Sequence, residues 1–445
     1  MSSGSRVPKP RWILRQHAPA SIHALAFASA SSGALLLSGD SDGRVAITDL
    51  RSYRPRALWQ AHTDIVLTVA EHAGLVVTHG RDNLLKVWRP QGTSSAHRVD
   101  PAASSDAPAE DASATLITAP ASGRGVELPI AANLMASLPT PECVLTFDVN
   151  ALNYCPFSLL DAHSLGLGLG TASASKTSIP PFLLAVPHTL EAAWIDIYEM
   201  PAKRRIFEAI GRPAVIDRSN RPPILMSVHL FRRPSSNAAE DLFLLAGYED
   251  GSVSLRQLSP TTKSCKQLWS FKEHQESVMT TSVSPDGTFA LSVGADDRIV
   301  KYTLFAAVRL SAHWADGQAG PSPPTQFRTQ RQGKASIAVR HDGRVGVVGG
   351  WDGNVRIYDT SDFRSLAVLD YHKDTVQAVA FQQPTSSAAT HSAGGADEED
   401  VSDNDSDSDA SNSEGDGQRS PRLDGANLLA CGCRDGRISL WQLTF

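Results

Sequence analysis

With 445 residues and 41% apolar side chains, the chain is long enough for two or three ordinary domains or for one closed all-β unit. It contains no uncharged apolar run of about 18 residues, so we expect no membrane-spanning helix, and its five cysteines provide no disulfide framework. The net charge is −6, but ten carboxylates lie between Asp397 and Asp416, and without them the chain carries +4. The sequence shows no basic stripe interleaved with aromatics, so we do not expect direct nucleic-acid binding.

A short hairpin pattern recurs along the chain. In residues 428–443 an apolar run leads into Asp435-Gly436 and then into alternating apolar residues, and Asp-Gly supplies the positive φ angles that tight hairpin turns need. A local pattern repeated along a chain indicates a repeat architecture. The same pattern occurs in five further segments: 35–50, 75–88, 242–258, 289–304 and 345–360.

Three of these hairpins are preceded by a histidine with a fixed spacing. His62, His274 and His372 are each followed four residues later by a valine that opens a short apolar strand. The unit therefore consists of a strand, a His turn, two strands, an Asp turn and a strand. This pattern resembles the WD repeat, which implies a four-stranded blade of an all-β propeller.

The resemblance extends to a buried hydrogen-bond network. In the WD family an Asp holds the His, the His meets a Ser or Thr hydroxyl, and the chain of bonds ends on a Trp ring nitrogen. The second unit supplies His62, Thr78, Asp82 and Trp88 for it. The last unit supplies His372, Asp435 and Trp441, with Cys431 expected in the hydroxyl position. The other units retain parts of the set: His17, Asp42, Thr48, Asp250, Arg256, His274, Asp296, Tyr302, Asp352 and Tyr358, with Gly333 at the His position of the sixth unit.

The repeat predicts one domain over residues 1–445 that contains seven blades. The third blade is assembled from 143–160, interpreted as inner strands, and 182–200, interpreted as the third strand of a blade that has lost its Asp turn. The expected blades are 18–50, 60–90, 143–200, 201–258, 263–305, 325–360 and 366–443.

The two ends of the chain predict how the ring closes. The last blade has no fourth strand after Leu443, and residues 11–16 form a strand that has no blade of its own before His17. Pairing the two leaves no open sheet edge. We therefore predict an all-β, seven-bladed WD-repeat propeller in which the N-terminal strand completes the last blade.

Polar segments interrupt the predicted blades. We expect disordered inserts at about 92–140, 161–180, 306–324 and 384–424, and the last of these is acidic and almost without apolar residues. Four serines in it have a carboxylate three residues later and resemble casein-kinase-type phosphorylation sites. The alternative is a solvated, tolerated loop. The candidate serines are Ser402, Ser406, Ser411 and Ser413.

The sequence offers little for catalysis. It lacks a G-x-S-x-G elbow, a Gly-rich phosphate loop with Lys, an H-E-x-x-H helix and paired cysteines at zinc spacing. Cys431 and Cys433 lie two apart on one predicted strand, which favours a buried, small apolar role over metal or redox chemistry. His79 is predicted to be a strand residue and not a general base. We expect no enzyme activity, no cofactor and no metal.

Function is expected on the face that carries the Asp turns. In a WD propeller these turns and the His turns emerge together, so the residue before each turn Asp borders the central channel. Arg81, Glu249, Trp351 and Arg434 are the candidate protein-binding residues, because Arg and Trp most often carry interface energy. The alternative for Trp351 is that it packs on a neighbouring loop.

The order of several motifs narrows the resemblance further. The chain resembles the ASTRA-associated protein 1 family of fungi, which is related to the guanine nucleotide-binding protein β-subunit-like proteins of animals. The similarity covers all seven predicted blades and skips the inserts. The motifs are LLSGDSDGRV, WQAHTDIVLTV, THGRDNLLKVW, FDVNALNYCPFS, LLAVPHTLEAAWIDIYEMP and RDGRISLWQL.

This resemblance implies a non-enzymatic scaffold subunit of the ASTRA assembly, linked to chromatin remodelling and to the chaperoning of phosphatidylinositol-3-kinase-related kinases. It implies as partners a kinase-related scaffold, RuvB-like ATPases and Tel-two-interacting proteins, with the nucleus as the main location and the cytoplasm as a second. Two alternatives remain open. A G-protein β-like adaptor would require an N-terminal coiled-coil helix, and a propeller with a small-molecule or catalytic channel site would require inward-facing polar or His residues at equivalent positions of several blades.

Overall fold

The structure is a computed structural model. It describes residues 8–28, 34–91, 130–151, 154–162, 179–213, 221–233, 242–305, 307–308, 320–384 and 427–444. Within these ranges the chain forms seven four-stranded antiparallel sheets, which are the blades of a β-propeller. Blades are numbered along the chain, and the strands of a blade are numbered first to fourth from the central axis outwards.

The first three blades contain the following strands. Blade 1 consists of Ile22–Phe27, Leu35–Asp40, Arg44–Asp49 and Arg54–Gln60. Blade 2 consists of Val66–His72, Leu75–Gly80, Leu84–Arg89 and Glu142–Asp148. Blade 3 consists of Ser158–Asp161, Phe182–Pro187, Ile195–Met200 and Arg204–Ile210.

The remaining blades follow the same order. Blade 4 consists of Leu225–Arg232, Leu242–Tyr248, Ser252–Ser259 and Ser264–Lys272. Blade 5 consists of Val278–Val283, Phe289–Gly294, Arg298–Thr303 and Thr325–Arg328. Blade 6 consists of Lys334–Val339, Val345–Gly350, Asn354–Asp359 and Ser365–Asp370. Blade 7 consists of Val376–Phe381, Leu428–Cys433, Ile438–Gln442 and the N-terminal Trp12–Leu14.

The expected closure of the ring is confirmed. Trp12 pairs with Leu440, Ile13 with Ser439 and Leu14 with Ile438, in antiparallel register. The backbone N–H of Arg11 adds a hydrogen bond to the Leu440 carbonyl at 2.8 Å. The outer edge of the third strand in blade 7 is thereby covered, and the first and last described segments of the chain share one sheet.

The expected boundary of the third blade at residue 143 is wrong. Residues 142–148 form the fourth strand of blade 2, where Leu84 pairs with Asp148 and Arg89 with Glu142. Blade 3 begins at Ser158. The expected starts of the later blades at 201, 263, 325 and 366 are also wrong, because the first strand in each of these segments is the fourth strand of the preceding blade. A strand can be far along the chain from its partner because the entropy of closing a loop grows only slowly with loop length.

Two of the expected disordered inserts contain regular structure. The 92–140 insert includes the helix Ile130–Ser137, whose Ala131 is fully buried against Ala46 and Leu58 of blade 1. This apolar contact explains why the segment is ordered. The 306–324 insert includes two short paired strands, Ala307–Val308 and Gly320–Pro321. The acidic 384–424 insert lies, apart from residue 384, outside the described residues. In the described part of the chain, no helix has the length and apolar character needed to cross a bilayer.

The core lies between the blades, because alternate residues of a strand point to opposite faces of its sheet. In the second strand of blade 2, Val76 packs into the cluster shared with blade 1, whereas Leu75 and Val77 pack into the cluster shared with blade 3. Every pair of neighbouring blades shares one such cluster, including blades 7 and 1, where Leu14 and Leu440 meet residues of blade 1.

In blades 1, 4, 6 and 7 an Asp-Gly turn docks the blade on the next one. Gly43, in the turn of blade 1, has φ +82°, and a Cβ at this position would lie 2.1 Å from the carbonyl oxygen of His62, which precedes blade 2. Gly43 also accepts the backbone N–H of His62 at 2.9 Å. Only glycine combines this φ angle with so close an approach of two backbones. The turn pattern therefore specifies the contact between blades as well as the hairpin.

The N-terminal strand generates the first prediction. Deleting residues 1–16 should lower the thermal unfolding midpoint sharply, because it removes Leu14 from the blade 7–blade 1 core and exposes a strand edge. The single change Leu14→Ala should lower the free energy of unfolding by about 2–5 kcal/mol, since Leu14 is 5% exposed. Chemical denaturation measures both effects, with Lys9→Ala at an exposed position as the control. Unchanged stability after the deletion would contradict the closure.

Candidate functional site

The turn face is the side of the ring that carries the turns between second and third strands, together with the connections between blades. Its equivalent positions are fixed by one repeated hydrogen bond. The residue before the turn Asp donates its backbone N–H to the carbonyl of the residue before the first strand of the same blade, at 2.8–3.1 Å. The pairs are Ser41 with Ser21, Arg81 with Ile65, Glu249 with Ile224, Ala295 with Ser277, Trp351 with Gly333 and Arg434 with Thr375.

Beneath this face, blade 2 holds the most complete hydrogen-bond network. His62 contacts Asp82 through Nδ1 at 2.9 Å and Thr78 through Nε2 at 2.7 Å, and Trp88 Nε1 donates to Thr78 Oγ1 at 2.9 Å. His62 is almost fully buried, and both of its ring nitrogens have partners. The network ties the His turn, the Asp turn and two strands together, and satisfied buried polar groups of this kind fix a unique arrangement.

Blade 7 has a similar network with one unexpected member. His372 contacts Asp435 through Nδ1 at 3.1 Å and Ser439 Oγ through Nε2 at 2.8 Å, and Trp441 Nε1 donates to the same Ser439 oxygen at 2.8 Å. The expectation that Cys431 takes the hydroxyl position is wrong. Cys431 lies opposite Ser439 on the neighbouring strand, and the serine hydroxyl reaches both rings from the third strand.

Blade 1 also departs from the expected pattern. His17 contacts Asp40 Oδ2 through Nδ1 at 2.7 Å and Ser38 Oγ through Nε2 at 2.7 Å. Asp42, the expected acid, instead accepts a hydrogen bond from Arg44 at 2.9 Å. Asp40 ends the second strand, two residues before the turn position, so a carboxylate on that strand can replace the turn acid.

Blades 5 and 6 keep parts of the network. In blade 5, His274 contacts Asp296 at 3.0 Å and Ser292 Oγ at 2.7 Å, and the hydroxyl of Tyr302 takes the place of the tryptophan at 3.1 Å from Ser292. In blade 6, the carboxylate of Asp352 is bound by the Arg356 guanidinium at 2.6 and 3.1 Å.

The turn carboxylates of Asp296 and Asp435 have lowered pKa values. Burial alone raises the pKa of Asp296, but the hydrogen bond and charge of His274 outweigh burial and lower this pKa to about 2. The same opposing causes, burial against the His372 hydrogen bond, lower the pKa of Asp435. Burial lowers the pKa of His62, although the Asp82 charge opposes it. The histidine and the aspartate of each network bind one another, so in this geometry they hold the turns together.

Trp351 both packs and stays exposed. Its ring lies against the backbone of Gly333, where an added Cβ would be 2.3 Å from Trp351 Cε3, and the residue remains 46% exposed. Gly333 directly precedes the first strand of blade 6, so the expectation that it takes the His position is wrong. Gly333 has φ +75°, and the missing side chain makes room for the indole. The turn face therefore presents an aromatic ring in a fixed orientation.

A second exposed group lies on the turn face between blades 2 and 3. The Arg81 guanidinium lies 4.3 Å from the centre of the Tyr154 ring, in cation–π geometry. Tyr154 is 47% exposed and Leu190 is 88% exposed. Tyr154 and Leu190 could not be identified from the sequence, because they lie in connections of blade 3, which lacks the Asp-Gly pattern. The NYCP and PHTLE segments contain no signal of the repeat that would have singled them out.

Glu249 and Arg434 are the other two predicted binding residues, and both are exposed. The carbonyl of Arg434 accepts a hydrogen bond from the Ser21 hydroxyl at 3.0 Å, which fixes its turn at the junction of blades 7 and 1. The structure thus places all four predicted residues on one face but in four different blades. The four candidate phosphorylation serines lie outside the described residues.

A polar groove lies at the outside of the ring. Its volume is about 420 Å³, and it runs between the fourth strand of blade 3 and the outer strands of blade 4. Arg212, Arg256 and Lys263 are its cationic lining residues, and Glu208 is an acidic one. Its position at the outer strands does not match a site in the central channel.

His79 is a fully buried histidine in the second strand of blade 2. Among the described residues neither of its ring nitrogens has a hydrogen-bond partner. Burial, reinforced by the nearby His62, lowers the pKa of His79 to about 3. The residue therefore stays neutral in the folded protein over the physiological pH range, and its conjugate acid forms readily only after unfolding.

His79 should make stability depend on pH. The pKa of His79 is about 3 in the folded protein and about 6.5 in the unfolded chain. The contribution of neutral His79 to the free energy of unfolding is therefore fully present above about pH 6.5 and is lost as the pH falls towards about 3. Between pH 6 and pH 4 this single group should lower the free energy of unfolding by about 1.4 kcal/mol per pH unit. Denaturant titrations at several pH values give the free energy of unfolding as a function of pH. Its slope against pH should be shallower for His79→Leu than for the wild type. Equal slopes would exclude His79 as the source.

Ser439 should be the structurally important hydroxyl of blade 7. Ser439→Ala leaves His372 Nε2 and Trp441 Nε1 without their present partner, which should lower the free energy of unfolding by about 1–3 kcal/mol. Ser270→Ala, at an exposed serine on the fourth strand of blade 4, is the control and should change stability little. Urea denaturation compares the two, and equal effects would argue against the network.

Known proteins resemble the chain at two levels. The profile of the WD domain, G-beta repeat family matches residues 265–302, which contain parts of blades 4 and 5. ASTRA-associated protein 1 of Verticillium alfalfae is 30% identical over 439 residues, covering 98% of this chain and 93% of that protein. ASTRA-associated protein 1 of Aspergillus niger is 31% identical over 472 residues, covering 98% and 97%.

A more distant similarity covers part of the ring. Guanine nucleotide-binding protein subunit beta-like protein 1 of Mus musculus is 29% identical over 201 residues, which is 45% of this chain and 54% of that protein. The alignments with the two fungal proteins, in contrast, each span 98% of the chain. Full-length similarity at this level, together with the seven-bladed architecture, shows that the chain belongs to the ASTRA-associated protein 1 family of WD-repeat propellers.

Proposed function

We propose that the chain is a non-catalytic scaffold subunit of an ASTRA assembly and that it binds partner subunits through the turn face. One observation carries the proposed surface. Of the four large apolar residues that are exposed in the described part of the chain, Tyr154, Leu190 and Trp351 lie on the turn face, and Val368 lies on an outer strand. Tyr154 and Leu190 lie at blade 3 and Trp351 lies in blade 6, so the face offers exposed apolar contacts at two separate places that a large partner could cover.

The residues on this face have the chemistry of interface anchors. Tryptophan, tyrosine and arginine dominate the energetics of protein interfaces. Trp351 is held by Gly333, and the Arg81 and Tyr154 side chains hold each other. Side chains that are already ordered lose less entropy when a partner binds, so more of their contact energy contributes to affinity.

The identity of the partners is proposed from the family. The fungal relatives carry the name ASTRA-associated protein, and family resemblance suggests a kinase-related scaffold, RuvB-like ATPases and Tel-two-interacting proteins as binding partners. We extend the proposal to chromatin remodelling, to the chaperoning of phosphatidylinositol-3-kinase-related kinases and to a nuclear location. A G-protein β-like adaptor role has narrower support, because that similarity covers 45% of the chain.

Trp351 provides the test of the proposed surface. In affinity purification of the tagged chain from its own cells, Trp351→Ala should recover much less of the partner subunits, because loss of an interface anchor costs about 2 kcal/mol or more, which is about 30-fold in affinity. The thermal midpoint should change little, since the ring is half exposed.

Val368→Ala is the matched control. Val368 is also a half-exposed apolar residue of blade 6, but it lies on the fourth strand at the outside of the ring. This variant should recover partners as well as the wild type does. Equal recovery by Trp351→Ala would remove Trp351 from the interface, and a wild-type purification without kinase-chaperone or ATPase subunits would refute the ASTRA role.

A further inference from the structure

Blade 7 carries a thiol where three other blades carry glycine. The second strands of blades 2, 5 and 6 end in Gly80, Gly294 and Gly350, two residues before the turn Asp, and blade 7 has Cys433 there. In blade 2 a Cβ on Gly80 would lie 2.4 Å from the ring of His62. Glycine at this position lets the imidazole pack on the backbone, so Cys433 brings a sulfur next to the corresponding imidazole.

Blade 1 shows that a side chain at this position reaches the histidine. Asp40 occupies it, and its Oδ2 lies 2.7 Å from Nδ1 of His17. Blade 7 therefore brings two side chains towards the His372 ring, one from the strand end and one from the turn. Asp435 Oδ2 lies 3.1 Å from His372 Nδ1, and the donor atoms of His372, Cys433 and Asp435 all lie within 4.8 Å of one another.

The surroundings suit a metal ligand set. The other ring nitrogen of His372 lies 2.8 Å from Ser439 Oγ, and such a bond orients a metal-bound imidazole and fixes its tautomer. The backbone N–H of Asp435 donates to Cys433 Sγ at 3.3 Å, but burial outweighs this bond and raises the pKa of the metal-free thiol to about 12, so the sulfur would lose its proton only to a bound cation. The thiol itself donates to the Asp374 carbonyl at 3.1 Å, and this proton would leave when the sulfur binds a cation.

We propose that His372 Nδ1, Cys433 Sγ and the Asp435 carboxylate bind a Zn²⁺ ion. Imidazole, thiolate and carboxylate are the three ligand types that zinc takes in proteins, and three protein ligands leave a fourth tetrahedral position for water. The same donor set does not occur in blades 2 and 5, where glycine replaces the cysteine. The expectation of a purely apolar role for Cys433 does not account for this convergence.

The position of the site gives it a structural consequence. His372 and Asp435 are 63 residues apart in the sequence, and the acidic segment lies between them. A metal bridge would restrict the chain on both sides of this segment in the blade that also binds the N-terminal strand. Cross-links that close long loops restrict the unfolded chain most. Bound zinc would therefore stabilise the blade that closes the ring.

Metal content is the first measurement. The full-length chain, stripped with a chelator and then equilibrated with Zn²⁺, should retain one zinc ion per molecule by elemental mass spectrometry. Cys433→Gly, which copies the residue of blades 2 and 5, should fold and retain none. Cys431→Ala is the control, because it removes the thiol two residues away, which lies in the core between blades 6 and 7, and it should retain zinc as the wild type does. No zinc on the wild type, or equal zinc on Cys433→Gly, would overturn the proposal.

Cobalt provides a readout that does not depend on the folding of a variant. Co²⁺ bound to the wild-type chain should show a thiolate-to-cobalt charge-transfer absorption in the near ultraviolet, and Zn²⁺ should displace it. Cys431→Ala should keep this band. Binding of Co²⁺ without the band would show that Cys433 is not a ligand and would overturn the site. The wild-type thermal midpoint should also rise with added Zn²⁺, and the midpoint of Cys433→Gly should not.

Discussion

The packing of apolar side chains between neighbouring blades is the interaction on which the rest of the structure depends. A blade is a single twisted sheet with two apolar faces, and each face is buried only against another blade. The cluster between blades 7 and 1 contains Leu14, Ile22 and Leu440, so it draws on both ends of the chain. No blade can bury both of its faces without its two neighbours. The three-residue N-terminal strand therefore contributes to the stability of the whole ring.

This dependence explains why the architecture was predictable. Residues that alternate between two buried faces produce short apolar strands, and the Asp-Gly turns repeat because each turn also touches the next blade. Gly43 approaches the His62 carbonyl in blade 1, and Gly353 approaches the His372 carbonyl in blade 6 in the same way. A contact that recurs in space leaves a pattern that recurs in sequence. The closure followed from the pairing requirement of the last strand.

The errors arose where the contact is not local. Glu142–Asp148 pairs with Leu84–Arg89 across a long insert, and no sequence motif near either strand indicates this pairing. Ser439 and Asp40 replace the expected Cys431 and Asp42 because neighbouring strands lie close enough for either one to supply a polar group. The hydrogen-bond network specifies which kinds of group must meet, but not which strand provides each of them. Sequence alignment of repeats therefore predicts the network better than its members.

The candidate site was predictable only where it follows the repeat. Trp351 and Arg81 occupy equivalent turn positions, so the pattern alone identified them. Tyr154 and Leu190 lie in the connections of blade 3, which lacks the Asp-Gly turn, and only the folded chain shows them on the same face. Blade 3 keeps its sheet through interblade packing without the turn network. The connection that carries Leu190 is held instead by His188 Nδ1, which accepts the backbone N–H groups of Leu190 and Glu191 at 3.1 and 3.3 Å.

The same turns serve stability and display together. The turn Asp binds a histidine or an arginine side chain, and the turn Gly contacts the next blade. The residue before the Asp is fixed through its backbone N–H, so its side chain is free to vary. That position holds Ser, Arg, Glu, Ala, Trp and Arg in six blades. A side chain displayed on a rigid turn loses little backbone entropy when a partner binds. The propeller can therefore change its binding residues without changing the contacts that close the ring, which is the physical requirement for a scaffold.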